Sequence, residues 1–323
     1  MNTAMLMSNL TNPTLLFFVL GIFAVALKSD LEIPPPVAKF ISLYLLFSIG
    51  FKGGLELAHG EINGEVIGSL FYGLLIAGVI PVVTFFILKK RLGATNAGAV
   101  AATYGSVSAV TFVAATGFLE AHGLKFGGHM VAVMALMEAP AIIVGVLLMR
   151  SYEEKKANGE ATESFGSILM HSFTSGSVLL IIGALVIGFI ADPKQADGLK
   201  PFTTDIFKGF LAMFLLEMGM TTAKRIKSCF SYGSVVYLFA LIAPLVNGCV
   251  VAYTSQFVTA DVGNRFIFAI LAASASYIAV PAAMRLAAPD ADPGLYVPMA
   301  LGLTFPLNIT IGMPIYFALV SMT

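Results

Sequence analysis

The sequence has no tryptophan, two cysteines and few charged residues. Of its 323 residues 11% are Asp, Glu, Lys or Arg, and their charges cancel to a formal net charge of zero. Soluble domains carry roughly 25% charged residues, and nucleic-acid-binding domains carry a basic surface. Cys229 and Cys249 lie in or beside apolar runs, without the spacing of a zinc or redox motif. The composition argues against a soluble domain, a nucleic-acid-binding protein and a zinc-binding fold.

The signatures of common enzyme classes are also missing. The chain contains no G-x-S-x-G, H-E-x-x-H or phosphate-binding-loop motif, and no pair of aspartates within an apolar segment. An intramembrane hydrolase that used Ser108 or Ser276 would need a base at the same depth, and the sequence shows none. We therefore keep a membrane enzyme as the weakest of three functional hypotheses.

Long apolar segments dominate what is present. Hydrophobic residues make up 58% of the chain, and the mean hydropathy is +0.91. Lipid is the solvent that suits such a chain, and spanning lipid requires helices of roughly 20 residues. We predict an all-α membrane protein with ten transmembrane helices, over residues 14–27, 37–51, 66–88, 97–119, 129–149, 168–190, 203–220, 232–257, 266–286 and 296–319.

The distribution of Lys and Arg predicts the orientation of these helices. Ten spans place the loops after odd-numbered helices on one side, and that side carries 12 of the 18 basic residues. Basic residues mark the cytoplasmic side of a membrane protein. We expect a multi-pass protein of the inner (plasma) membrane, with both termini extracytoplasmic.

Two segments contain small and hydroxylic residues where a membrane helix needs none. Residues 96–116 read NAGAVAATYGSVSAVTFVAAT, and residues 264–285 read NRFIFAILAASASYIAVPAAMR. The second begins 168 residues after the first, and that offset places Ser106 on Ser274 and Ser108 on Ser276 without a gap. Lipid offers no partner for such groups. We predict one interrupted helix in each half of the chain, crossing near the middle of the bilayer.

Other pairs of residues support an internal repeat. Gly50 matches Gly219 at an offset of 169, and Pro140 matches Pro306 at 166. We predict two five-helix repeats, at 1–150 and 166–323, joined by a charged cytoplasmic linker at 151–165. An odd number of spans inverts the second repeat, as in many secondary transporters. The alternative is that small residues in unrelated membrane helices align by chance.

An interrupted helix can bind ions of both signs. The second half-helix begins with free N–H groups and the positive end of a dipole, which suit an anion. Pro281 suits the first turn of such a half-helix, and Ser274 and Ser276 precede it as Ser106 and Ser108 precede 110–116. Freed carbonyls and hydroxyls suit a sodium ion. Alternatively, these hydroxyls bond the carbonyl four residues back or hold helices together.

Glu138 is the acid placed deepest in an apolar segment. It lies in MALMEAPAII, far from either end of the fifth segment, and ionisable groups at such depth usually serve a function. It could bind a cation, accept a proton or pair with a basic residue. Glu217 is a second acid, closer to a segment end, and Asn247 and Asn308 are central polar residues that suit interhelical hydrogen bonds or ligand contacts.

At these residues the chain resembles the SbtA-type sodium-dependent bicarbonate transporters. The resemblance covers nearly the whole chain and rests on YGSVSAVTFVAA, MEAPAIIV, ASASYIAVPAAMR and ADPGLYVPMALGLTFPLNITIGMPIYF. It implies ten helices in inverted repeats, with crossed broken helices in a mobile core domain beside a gate domain. It further implies a homotrimer that carries bicarbonate and sodium inward by an elevator motion, and a PII-like cytoplasmic regulator. The positions that match the family's binding region are Gly105, Ser108, Thr111, Ser274 and Ser276.

The chain departs from those transporters at several positions. They carry an aspartate where this chain has Tyr277 and another where it has Glu138, and serines where it has Ala275 and Ala279. The tyrosine hydroxyl can hydrogen-bond an anion. A carrier of a different anion, coupled to sodium or to protons, is the second hypothesis.

The complete prediction combines both lines of argument. We expect no cofactor, with sodium as the coupling ion and bicarbonate or another small anion as the substrate. The predicted substrate-binding residues are Gly105, Ser106, Ser108, Thr111, Ser274, Ser276 and Tyr277. The predicted cation-binding residues are Ser108, Thr111, Glu138 and Ser276.

Overall fold

The computed structural model describes residues 13–59, 63–152, 176–229 and 232–323, and within these ranges the chain forms helices and no strand. Six helical runs are long and apolar enough to cross a membrane, and three shorter helices are also apolar. Most of the predicted linker, from residue 153 on, lies outside the described ranges. The helices are α1 Pro13–Ala26, α2 Pro35–His59, α3 Gly64–Gly105, α4 Ala109–Ala121, α5 His129–Tyr152, α6 Gly176–Ile190, α7 Phe207–Cys229, α8 Ser234–Thr254, α9 Val262–Ala273, α10 Ala279–Ala287 and α11 Pro293–Met322, the last with two π-helical stretches.

Helix α3 reverses direction at one residue. Gly93 has φ 76° and ψ 168°, a conformation that favours glycine. Pro81 lies twelve residues before it and Gly105 twelve residues after it. A Cβ atom on Gly105 would come within 2.5 Å of the Pro81 ring. The two arms of α3 therefore lie side by side, and they correspond to the predicted third segment and the first part of the fourth.

The helices pack as two groups. In the first, α1 packs mainly on α7 and α2 on α6, and α7 contacts both α2 and, across the boundary between the groups, α11. In the second, α3 packs on α5, while α8 and α11 pack around α9. The short helices that follow the two breaks, α4 and α10, also contact the second group. We name α1, α2, α6 and α7 the scaffold group, and the remaining helices the core group.

Glycines allow the backbones of the scaffold helices to touch. A methyl group on Gly219 of α7 would overlap the carbonyl oxygen of Phe18 in α1. Similarly, a methyl group on Gly54 of α2 would overlap the carbonyl oxygen of Leu185 in α6, and Gly188 makes the reciprocal approach to α2. Small residues permit such close crossings between membrane helices. Phe18 and Leu185 are 167 residues apart, close to the offsets that align the two halves of the sequence.

Replacing Gly219 with alanine should destabilise the protein. The added methyl group has no room beside the Phe18 carbonyl, and forced overpacking costs about 3 kcal/mol. Gly209, in the same helix, has nothing within 4 Å of its Cβ position, so Gly209→Ala is the matched control and should be neutral or mildly stabilising. Thermal unfolding of the detergent-purified variants measures the difference. Equal melting temperatures would show that this crossing does not constrain the fold.

Candidate functional site

Both predicted interruptions are present in the structure. Helix α3 ends at Gly105 and α4 begins at Ala109, while α9 ends at Ala273 and α10 begins at Ala279. Ser106 follows α3 and Ser274 follows α9. Their backbone angles are nearly the same, φ −83° with ψ 166° for Ser106 and φ −79° with ψ 167° for Ser274. We call residues 106–108 the first gap and residues 274–278 the second gap, which is two residues longer. Pro281 lies in the first turn of α10, the helix that follows the second gap, as predicted.

The two gaps touch through reciprocal hydrogen bonds. The backbone N–H of Ser108 in the first gap donates to the Ser274 hydroxyl in the second at 3.0 Å. The backbone N–H of Ser276 in the second gap donates to the Thr103 carbonyl, just before the first gap, at 2.8 Å. These atoms are buried, and buried polar groups are stable only when they have partners. The bonds therefore fix the two interruptions against each other.

A cavity of about 590 Å³ opens beside the gaps, between the scaffold group and the core group. Its core-group wall comes from both gaps and from α5, and its scaffold wall comes from α2, α6 and α7. The wall is mostly apolar, with a few polar groups, which is the usual character of a small-molecule site. The polar side chains that line it are Lys39, Ser42, Ser108, Glu138, Ser276 and Tyr277.

The residues that open α4 and α10 also line this cavity. The first N–H groups of a helix have no partner within the helix, and Ala109, Val110 and Ala279 occupy these positions and line the cavity. Within the described residues none of these three amides has an acceptor. The positive ends of two helix dipoles add to their effect. This arrangement suits an anion without a fixed cation beside it.

A serine hydroxyl lies beside each of these helix starts. The Ser108 hydroxyl accepts a hydrogen bond from the Thr111 N–H at 3.2 Å, as an N-cap does. The Ser276 hydroxyl accepts from the Val280 N–H at 3.5 Å, a longer and weaker bond. Both hydroxyls keep a proton that can be donated to a ligand. The structure therefore places Ser108 and Ser276 at the two helix ends, beside the unpaired amides.

Glu138 supplies the acidic group of the cavity wall. It lies in α5, faces the same cavity as Ser108 and Ser276, and no hydrogen bond or ion pair engages its carboxylate within the described chain. Glu217 differs, since its carboxylate accepts a hydrogen bond from Thr221 at 2.7 Å and does not line the cavity. Of the two acids considered from the sequence, Glu138 is the one placed to meet a ligand.

Four predicted binding residues do not line the cavity. Gly105 faces the Pro81 ring, and Thr111 contributes its backbone N–H to Ser108. Ser274 already donates its hydroxyl to the Leu271 carbonyl at 2.8 Å while accepting from Ser108. The Ser106 hydroxyl is fully buried and has no partner in the described residues. In this conformation these residues shape the gaps, and their contact with a ligand remains a prediction.

Carbonyl groups at the carboxyl ends of α3 and α9 are already hydrogen-bonded. The Asn308 side-chain N–H donates to the Ala273 carbonyl at 2.7 Å, so Asn308 makes an interhelical hydrogen bond. The Thr103 carbonyl receives the Ser276 N–H. A carbonyl oxygen keeps a second lone pair, but Ala273 and Thr103 do not line the cavity, whereas the predicted cation-binding residues Ser108, Ser276 and Glu138 do. These three side chains, more than the freed carbonyls, offer oxygens of the kind that sodium prefers.

Sequence reasoning did not assign a site role to two polar residues of the scaffold wall. Lys39 and Ser42 line the cavity from the first turns of α2. From the sequence, Lys39 counted only as one of the 12 basic residues that predict the orientation in the membrane. No motif links this part of α2 to the gaps some 65 and 235 residues away. Their contribution becomes visible only when the scaffold group is placed against the core group.

These features define a class of protein: an all-helical membrane protein with two interrupted helices and a cavity with polar groups in its wall between two helix groups. The chain belongs to the Na⁺-dependent bicarbonate transporter superfamily, whose family model matches residues 13–321, nearly the whole chain. This is a superfamily of transporters and not of enzymes. A search of curated proteins found no match to the chain.

Proposed function

We propose that this protein carries bicarbonate together with sodium into the cell by moving its core group against its scaffold group. The observation that supports this most is the convergence of two helix starts with unpaired amides on one cavity between the two groups. Membership of the Na⁺-dependent bicarbonate transporter superfamily agrees with this proposal.

Bicarbonate fits the chemistry of the two helix starts. Its negative charge is spread over oxygens that each accept hydrogen bonds, and it also carries one O–H donor. The amides of Ala109, Val110 and Ala279 supply donors from two directions, and Ser108 and Ser276 supply hydroxyls. Tyr277 adds a hydroxyl that lies beside Ser108 and contacts the weakly accepting sulfur of Met218 at 3.5 Å. That contact is easily exchanged for a bond to an anion.

Sodium is the second ion of the proposed cycle. It prefers hard oxygen ligands, and Glu138 offers a carboxylate facing the same cavity as the Ser108 and Ser276 hydroxyls. An anion at the helix starts and a cation beside Glu138 would attract each other across a largely apolar cavity, where charge interactions are stronger than in water. Binding of either ion would therefore favour binding of the other, which couples the two gradients.

The proposed movement follows from where the cavity lies. Its lining includes Lys39 and Ser42 near the start of α2, and we predict that this helix start faces the cytoplasm. We propose that this conformation releases ions inward and that an elevator motion of the core group reopens the site outward. The proposal also includes ten spans in two inverted repeats, at 1–150 and 166–323. It further includes assembly as a homotrimer in the plasma membrane and a PII-like regulator.

Uptake of labelled bicarbonate into proteoliposomes tests this function. With an inward sodium gradient we expect uptake at least about 10-fold above that of protein-free liposomes, and we expect replacement of sodium by potassium to abolish the difference. Measurements at pH 8 limit entry of label as carbon dioxide. Uptake that follows an imposed proton gradient without sodium would instead support proton coupling.

A carrier of another anion is the second candidate. The cavity of about 590 Å³ has apolar walls that include Phe214 and Ile278, which would accommodate an organic anion larger than bicarbonate. Competition assays with acetate, pyruvate, nitrate and sulfate separate the two candidates. Inhibition by one of these anions, together with its own sodium-dependent uptake and no bicarbonate uptake, would favour the second.

A further inference from the structure

A line of contacts joins the core group to the scaffold group on the side of the cavity opposite Lys39. It runs along one face of α4 and one face of α7. Val113 and Phe214 line the cavity. Three or four residues further along, Gly117 faces Leu211, and a Cβ atom on Gly117 would come within 2.6 Å of the Leu211 side chain. Residues three or four apart share a helix face, so these contacts form one continuous seam.

Ion pairs lie at the far end of this seam. The Glu120 carboxylate of α4 contacts the Lys52 ammonium of α2 at 3.5 Å through one oxygen and the Lys208 ammonium of α7 at 3.7 Å through the other. Both lysines belong to the scaffold group, and Glu120 belongs to the core group. Lys52 also lies over the Phe207 ring, 5.8 Å from its centroid, and this contact holds the lysine on the scaffold.

We infer that Glu120 is a latch that holds the extracytoplasmic side of this transporter closed while the cavity is open toward the cytoplasm. The inference rests on the proposed function, since it assumes that the core group moves against the scaffold group. Outward opening must part α4 from α2 and α7. That separation breaks both ion pairs and exposes Leu211, which is 1% accessible in the closed seam.

The strength of such a latch suits a transport cycle. The paired side chains are partly exposed, at 33% for Glu120, 34% for Lys52 and 67% for Lys208. Exposed ion pairs are individually weak, and we expect the two together to shift an equilibrium by roughly 3- to 10-fold. A bias of this size sets the resting population without trapping the protein in one state. High salt, which screens exposed charges, should weaken it.

Cysteine labelling measures the population that is open outward. The reporter is Val113→Cys in a Cys229→Ser, Cys249→Ser background, with membrane-impermeant maleimide applied to intact cells. In otherwise unchanged protein the reagent should react faster in inverted vesicles than in cells. Glu120→Gln should raise the external labelling rate roughly 3- to 10-fold. The charge exchange Glu120→Lys with Lys52→Glu and Lys208→Glu should return it toward the starting value.

Controls separate the latch from general damage. Asp197→Asn removes an exposed carboxylate on the same predicted side and should leave the rate unchanged, and size-exclusion profiles verify folding of each variant. Equal external rates for Glu120→Gln and its parent, or no recovery in the charge exchange, would overturn the latch. Bicarbonate uptake is scored separately: a labelling shift in a protein that transports no bicarbonate supports the latch while removing the proposed substrate.

Discussion

Replacing Glu138 with glutamine is expected to lower sodium-dependent uptake about 100-fold. The substitution keeps the size of the side chain and removes a carboxylate that lines the same cavity as Ser108 and Ser276. An interaction with a charged group contributes up to about 3 kcal/mol, and each 1.4 kcal/mol corresponds to a factor of ten. The loss should appear as a raised half-saturating sodium concentration in proteoliposome uptake.

Glu217→Gln provides the matched control for this prediction. Glu217 is also a half-buried acid within an apolar helix, but its carboxylate is hydrogen-bonded to Thr221 and it does not line the cavity. Its replacement should leave the sodium dependence unchanged. If both variants transported with the sodium dependence of the original protein, Glu138 would have no part in the cation site.

Removing the hydroxyls of both helix starts should have the second-largest effect. In the double variant Ser108→Ala, Ser276→Ala, α4 loses an N-cap worth about 1 kcal/mol, α10 loses the weak bond from the Val280 N–H, and the anion loses two donors. We expect the half-saturating bicarbonate concentration to rise about 30-fold, because the combined loss is roughly 2 kcal/mol. Uptake at a series of bicarbonate concentrations measures this shift.

A hydroxyl elsewhere on α4 controls for the double variant. The Thr116 hydroxyl donates to the Val113 carbonyl within the helix at 2.8 Å and does not line the cavity. Thr116→Val should therefore leave bicarbonate affinity unchanged. Normal uptake by the double serine variant would show that the anion binds elsewhere.

Local sequence signals were sufficient to predict an all-helical membrane protein and the two helix interruptions. Runs of apolar side chains mark helices because lipid leaves no alternative for the backbone. Clusters such as Gly105 to Ser108 mark breaks because hydroxyls and small residues stabilise a free helix end. The same reasoning placed Pro281 in a first turn, where the structure has it.

Long-range contacts could not be predicted in this way. Asn308 meets the Ala273 carbonyl, and nothing in the sequence around Asn308 specifies that partner. Arg265 directly precedes the predicted ninth segment, and its buried guanidinium donates to the Val320 and Ala252 carbonyls at 3.2 and 3.1 Å, partners that the sequence around it does not specify. The position of Lys39 in the cavity wall could not be predicted for the same reason. Each of these contacts depends on how separate helices are placed, and the hydrophobic pattern does not encode that placement.

The close glycine crossings of the scaffold helices have a consequence for biosynthesis. Gly21 and Gly219 are in contact although 198 residues separate them along the chain. Gly54 likewise contacts Leu185, which is synthesised much later. At roughly 5–20 residues per second, α1 spends about 10 to 40 seconds in the membrane before α7 is synthesised. During that interval its small-residue surface is open to other proteins. The helices of the amino-terminal half therefore lack their packing partners until the second half has been synthesised, and the two halves must assemble together.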